Sequence, residues 1–196
     1  YEIMPSLVGS EMCIRDRYYA EADAAHNFDH VLRVLALAER IARAEGADLE
    51  IVRAAALLHD VGRVGEERGD GCHARIGAAR AREILRGHPQ DRVEAVAEAI
   101  AAHRFRRGPD PQSLEARVLY DADKLDAMGA LGVYRTAMYS AEHGRPVNEF
   151  VVHFHEKLLK LRSRMFTPEA RRMAESRHRF MFDFLAQLDR ELKLET

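Results

Sequence analysis

The run Ala54-Ala55-Ala56-Leu57-Leu58-His59-Asp60-Val61-Gly62-Arg63 constrains this chain more than any other stretch. Its opening residues are small or aliphatic and suit a buried helix. It then sets an imidazole beside a carboxylate and reaches a glycine. Burying that pair is costly unless a partner compensates both groups. A metal ion is the natural partner for adjacent nitrogen and oxygen donors. Such an ion would need further ligands from elsewhere in the chain.

The pattern around this run is helical. Asn27 is a candidate N-cap, and Phe28, Val31, Leu32, Leu35, Ala38, Ile41 and Ala42 recur at spacings of three and four, up to Gly46. Asp48 caps the next helix, which runs to Asp60 with Gly62 as its stop, and a charged, glycine-rich loop follows over 65–71. A third helix opens at His73 with Ile76, Ala79, Ile84 and Leu85. A fourth has His88 as its cap, Pro89 at its first position and an inner face of Val93, Val96, Ala97 and Ile100, with His103 near its end. After a polar loop, a fifth helix from Leu114 carries Val118, Leu119, Ala122 and Leu125. A sixth ends at Gly144 and Pro146, Asn148 caps a seventh, and Thr167-Pro168-Glu169 starts a long last helix with Met173, Phe180, Phe184, Leu188 and Leu192 as core. No stretch alternates as a strand does. The reading is an all-α single bundle over 18–196, with the helices of 148–193 packed on a motif core of about 26–139.

Composition narrows the partners. Net charge is −2, from 30 basic and 32 acidic residues, which gives no electrostatic case for a nucleic-acid partner. No apolar run approaches a membrane span, so no membrane partner is expected. Two cysteines, Cys13 and Cys72, fit a reducing, cytoplasmic setting. Residues 1–17 show neither a helical period nor a secretory signal. Their run SLVGSEMCIRDR resembles a translated sequencing adapter, and they are expected to be a non-native leader.

Further donors stand at ordered places. His30 lies in the first turn of helix one, and Asp121, Asp123 and Asp126 crowd a helix that also carries Leu119 and Leu125. So much acid beside apolar residues calls for a cation in the same field. His26-Asn27-Phe28-Asp29-His30-Val31, Ala56-Leu57-Leu58-His59-Asp60-Val61-Gly62 and Tyr120-Asp121-Ala122-Asp123-Lys124-Leu125-Asp126 together resemble the HD-domain superfamily of metal-dependent phosphohydrolases, and within it a bacterial subgroup of small hydrolases. The resemblance runs from Asn27 to Tyr139.

That resemblance implies a divalent metal (manganese, magnesium or iron) held by His30, His59, Asp60 and Asp123. It implies water activated for attack on a nucleotide or other small phosphate ester or anhydride, with Asp60 as the catalytic carboxylate that orients it. His73 and His103 fall where two-metal members of the superfamily carry further ligands. They are candidates for a second metal, bridged to the first by Asp60, or for contact with a substrate phosphate. Lys124 and Arg104 adjoin motifs and are the candidate phosphate-neutralising cations, with Arg106, Arg107 and Arg135 further away. Asp126 is expected as a supporting acceptor, and His26 as a supporting or surface residue.

Plainer readings accompany these. His30 alone would be a histidine bonded to its own turn. Asp121 reads as solvated, and Glu66, Glu67 and Asp70 as a flexible acidic loop with the capacity for a general base. Two rival functions share the fold: a di-iron oxygenase, and a metal-containing nucleotide sensor without turnover. Oligomerisation is open, and a homo-oligomer is compatible with the chain.

Overall fold

The computed structural model describes residues 28–104 and 110–194, apart from the side chain of Glu67. The leader, His26, the Asn27 cap, Arg106 and Arg107 lie outside the described residues. Among those described, helices α1 (Phe28–Glu45), α2 (Leu49–Leu58), α3 (Arg63–Glu67), α4 (His73–Ile84), α5 (Gln90–Ala102), α6 (Leu114–Asp126), α7 (Gly129–Glu142), α8 (Val147–Glu156) and α9 (Pro168–Leu192) follow in order, with a 3-10 turn at Leu158–Arg164, and no strand forms. The all-α expectation holds. The chain divides into two compact units, Tyr1–Asp123 and Lys124–Thr196.

In the first unit α2 is the central element. Val52 and every residue from Ala54 to Leu58 are shielded from solvent, so the C-terminal half of this helix is apolar on all sides, as a buried segment must be, while Glu50 and Arg53 of its first half are part-exposed. It packs against α1 and α5, and α4 packs against α5. Asp48 starts it as expected, its Oδ1 accepting from the backbone N–H of Glu50 at 2.9 Å and of Ile51 at 3.3 Å. Asp48 also ties neighbours to that end. Its Oδ2 accepts from Arg92 at 3.1 Å, and its backbone N–H donates to Glu115 at 3.0 Å.

Several local expectations are corrected. On α1 the inner face is Val31, Val34, Ala38 and Ile41, and Leu32 is exposed. On α4 the buried face is Ala74, Gly77, Ala78 and Ala81, with Ala79 exposed. Small residues win there because α4 sits close to its neighbours: a Cβ on Gly77 would lie 3.2 Å from both the His59 carbonyl and Ile100 Cγ2. The loop expected at 65–71 begins with α3, a helix of 5 residues. Gly62 does not end α2. The helix closes at Leu58, and Gly62, at φ −88°, is glycine for space: a Cβ there would lie 2.2 Å from the His73 carbonyl oxygen. Pro89, not His88, occupies the N-cap of α5, and Pro146, not Asn148, that of α8; neither uses a side-chain cap.

In the second unit α9 packs on α7 and on the 3-10 turn. Thr167 caps α9, accepting from Ala170 at 3.4 Å. Its buried stripe is Ala170, Ala174, Met181 and Leu185, while Phe180 and Leu192, expected inside, are exposed. Phe184 joins Phe150 and Phe154 in an aromatic cluster, with ring centroids 6.2 and 6.3 Å away.

Candidate metal centre

His59 and Asp60 follow the last residue of α2 and are fully buried. The turn there aims the two side chains differently. His59 Nδ1–H donates to the Ala56 carbonyl at 2.7 Å, which leaves Nε2 as a lone-pair donor. That Nε2 lies 3.4 Å from His30 Nε2 and 3.6 Å from Asp60 Oδ2. His30, buried in the first turn of α1, also lies 3.8 Å from Asp60 Oδ2 and 3.5 Å from Asp123 Oδ1 on α6.

The other face of Asp60 meets a second pair. Oδ1 lies 3.7 Å from His103 Nε2 and 3.9 Å from His73 Nε2, and those two nitrogens are 3.2 Å apart. His103 Nδ1–H donates to the Ile100 carbonyl at 2.5 Å, and His73 Nδ1–H to Glu66 Oε2 at 2.6 Å. Each ring thus turns its Nε2 toward Asp60. If both rings are neutral, two lone pairs face one another, an arrangement that calls for a cation.

Electrostatics keep the donors in ligand form. Burial pushes His59 down to about 4, against the pull of Asp60. Burial, helped by the positive field of Arg63, does the same to His73, also to about 4. These imidazoles are neutral at neutral pH, as metal binding requires. Burial pushes Asp60 upward, but the Arg63 guanidinium beside it works the other way, and the carboxyl is held well below its usual range. Arg63 Nε donates to Asp60 Oδ2 at 2.6 Å. Oδ1, by contrast, is buried with no donor within hydrogen-bonding distance. An anionic oxygen in that state is costly without a cation.

The donor set fits a metal. Two atoms each about 2.0–2.3 Å from one ion stand roughly 3–4.5 Å apart. All the separations around Asp60 fall in that range. His30, His59 and Asp60 form one group able to hold an ion, and Asp60, His73 and His103 a second. The expected ligands are therefore brought together, and His73 and His103 stand beside Asp60 rather than apart from it.

Other expected residues lie as follows. Asp121, read as solvated, is fully buried. Asp126 is buried and accepts from Arg135 at 2.8 Å, which commits the arginine expected to reach the cleft. Lys124, next to Asp123 in α6, is buried. Arg104 donates through Nη1 to Glu66 Oε1 at 3.0 Å and to Cys72 Sγ at 2.9 Å. The sequence reading missed Arg63 altogether, although its spacing of three from Asp60 is that of a helical ion pair. It also placed Glu66 in a flexible loop, and the short α3 carries no periodic signal to say otherwise.

With this geometry in view, comparison with known proteins decides the family. A family model described as the HD domain matches residues 27–128. The chain belongs to the HD-domain family. YpgQ of Bacillus subtilis (strain 168) is 34% identical over 180 residues, which cover 88% of this chain and 87% of YpgQ. A crystal structure of YpgQ in complex with ADP superposes with a TM-score of 0.75 at 28% identity, covering 94% of this chain and 96% of that one. A predicted HD superfamily hydrolase from an uncultured Thermotogales bacterium gives 0.73 at 32% identity, covering 95% and 92%. Ribonuclease Y of Chloroflexus aurantiacus (strain ATCC 29366 / DSM 635 / J-10-fl) is 38% identical over 96 residues, 49% of this chain but 17% of that larger protein. This HD-domain chain therefore carries a hydrolase-type fold with a His/Asp cluster suited to metal.

Proposed function

We propose that this HD-domain protein is a phosphohydrolase that uses two divalent ions bridged by Asp60 to cleave a nucleotide or another small phosphate ester or anhydride. The carrying observation is the two-sided carboxylate of Asp60, with Oδ2 facing His30 and His59 and Oδ1, without a hydrogen-bond donor, facing His73 and His103. In this reading His30, His59, Asp60 and Asp123 hold one ion, and Asp60, His73 and His103 the other. When bound, divalent ions supply Lewis-acid activation of water and of the phosphoryl group. Manganese, magnesium or iron suits such imidazole and carboxylate donors.

The chain's own residues do the rest. Asp60 accepts a hydrogen bond from the attacking water and orients it toward phosphorus. Lys124, beside Asp123 in sequence, neutralises substrate phosphate, while Arg104, beside His103, is engaged by Glu66 and Cys72. A nucleotide is favoured because YpgQ has been crystallised with ADP. The net charge of −2 argues for a small substrate over the RNA that the name of ribonuclease Y implies for that relative.

One observation favours a second reading, a di-iron oxygenase: the same imidazole-rich set suits iron held for oxygen chemistry. The test assays protein loaded with Mn²⁺, Mg²⁺ or Fe²⁺ against nucleoside di- and triphosphates, small phosphate esters and a short RNA. The expected result is hydrolysis of a small phosphate compound, reduced by at least about 100-fold in Asp60→Ala. Oxygen consumption by the iron form without hydrolysis would transfer the chain to the second reading. ADP binding without turnover of any compound would make it a sensor.

A further inference from the structure

The imidazoles of the Asp60 centre are not all held alike. His59 and His103 are held through Nδ1–H by the backbone carbonyls of Ala56 and Ile100. His73 is held by a carboxylate, with Glu66 Oε2 2.6 Å from its Nδ1. Glu66 is itself fixed at its other oxygen, where Arg104 Nη1 donates to Oε1 at 3.0 Å. The same Nη1 reaches Cys72 Sγ at 2.9 Å, and Cys72 is the N-cap of the helix whose first residue is His73. Glu66, Arg104, Cys72 and His73 therefore close a ring of contacts around one imidazole. A carboxylate behind a ligating histidine fixes its tautomer and raises its basicity, and a backbone carbonyl fixes the tautomer with less charge.

We propose that Glu66 is the positioning residue of the second metal position, orienting His73 and making that position bind metal more tightly than its neutral donors alone would allow. The inference rests on the two-ion reading. It assigns Glu66 no contact with metal or substrate: Glu66 acts only through His73 Nδ1, and Arg104 keeps its carboxylate in place. The side-chain contacts of Glu66 run to His73 and Arg104, so the first position, with His30, His59 and Asp123, is expected to be independent of it.

The experiment is a Mn²⁺ titration of the full chain followed by calorimetry and by the electron paramagnetic resonance of free Mn²⁺, with Glu66→Gln and Glu66→Ala beside the wild type. Gln keeps a hydrogen-bond acceptor and removes the charge; Ala removes both. Wild type is expected to take up two equivalents. In Glu66→Gln the second equivalent should bind roughly 10-fold more weakly and in Glu66→Ala up to about 100-fold more weakly, with the first unchanged. The nitrogen-15 shifts of His73 should also show loss of a fixed Nδ1–H tautomer in Glu66→Ala, while thermal melting without metal reports whether the fold is intact. Unchanged affinity for the second equivalent in both variants would overturn the proposal, as would an equal loss at both positions. Uptake of a single equivalent by wild type would instead bring down the two-ion reading and this inference with it.

Discussion

Asp60 is the residue on which the centre turns. It is fully buried and ionised, and Arg63 donates to it, 2.6 Å from Oδ2. Arg63 is about one-quarter exposed, so its guanidinium shields the carboxylate without being sealed in. Removing one partner of a fully buried pair costs about 3–5 kcal/mol, and partial exposure of Arg63 lowers this to roughly 1–2 kcal/mol. Arg63→Gln is therefore expected to lower the melting temperature of metal-free protein. Added Mn²⁺ should then recover most of the difference, because the ion takes over the neutralisation of Asp60. Thermal melts of both proteins with and without Mn²⁺ check this, and an equal deficit in both conditions would contradict it. At this scale the gathering of His30, His59, Asp60 and Asp123, the proposed ligands, was legible, because an acid or imidazole inside an apolar helical pattern needs an explanation. The bonds of Arg63 and Glu66 were not. Both residues are ordinary surface types, and only the fold turns them toward Asp60 and His73.

The turn from His59 to Gly62 is the element that places Asp60. It sits directly on the first turn of α4, where the Gly62 Cα faces the His73 carbonyl and Gly77 lies under His59. This contact sets His73 opposite Oδ1 of Asp60. Gly62→Ala drives a Cβ to 2.2 Å from that carbonyl oxygen and 2.6 Å from the Gly77 amide nitrogen, both backbone atoms. Such overpacking is expected to cost about 3 kcal/mol and to separate Asp60 from His73. Chemical denaturation should show the lost stability. A variant as stable as wild type would mean the turn is free to shift. Long elements with a regular apolar period, such as α1, α5 and α6, were readable within a few residues, and so were caps with a side-chain oxygen at Asp48 and Thr167. The start of α5 at Pro89 and of α8 at Pro146 was displaced by histidine and asparagine, whose capping tendency proline overrode with its preset backbone. The small-residue face of α4 was misjudged because period alone favours the larger Ile76 and Ile84, whereas close approach favours Ala and Gly.

For the molecule as a whole, the helical class and the order of the three motifs carry the family, and both were visible in the amino-acid pattern. The division into Tyr1–Asp123 and Lys124–Thr196 was not, since it falls within α6, where no change of composition marks it. All the ligands proposed for both ions belong to the first unit. Among the described residues no helix is long and apolar enough to cross a membrane. The centre joins α1, the end of α2, the start of α4, the end of α5 and α6, so ion binding there would fasten elements that are remote in sequence and stabilise the folded state by mass action. The central claim is that Asp60 serves both positions at once. Mn²⁺ stoichiometry of Asp60→Asn against wild type tests it most directly, with circular dichroism confirming that the variant is folded. The account predicts two equivalents in wild type and strongly weakened binding of both in Asp60→Asn. A variant that loses one equivalent and keeps the other at wild-type affinity would contradict it.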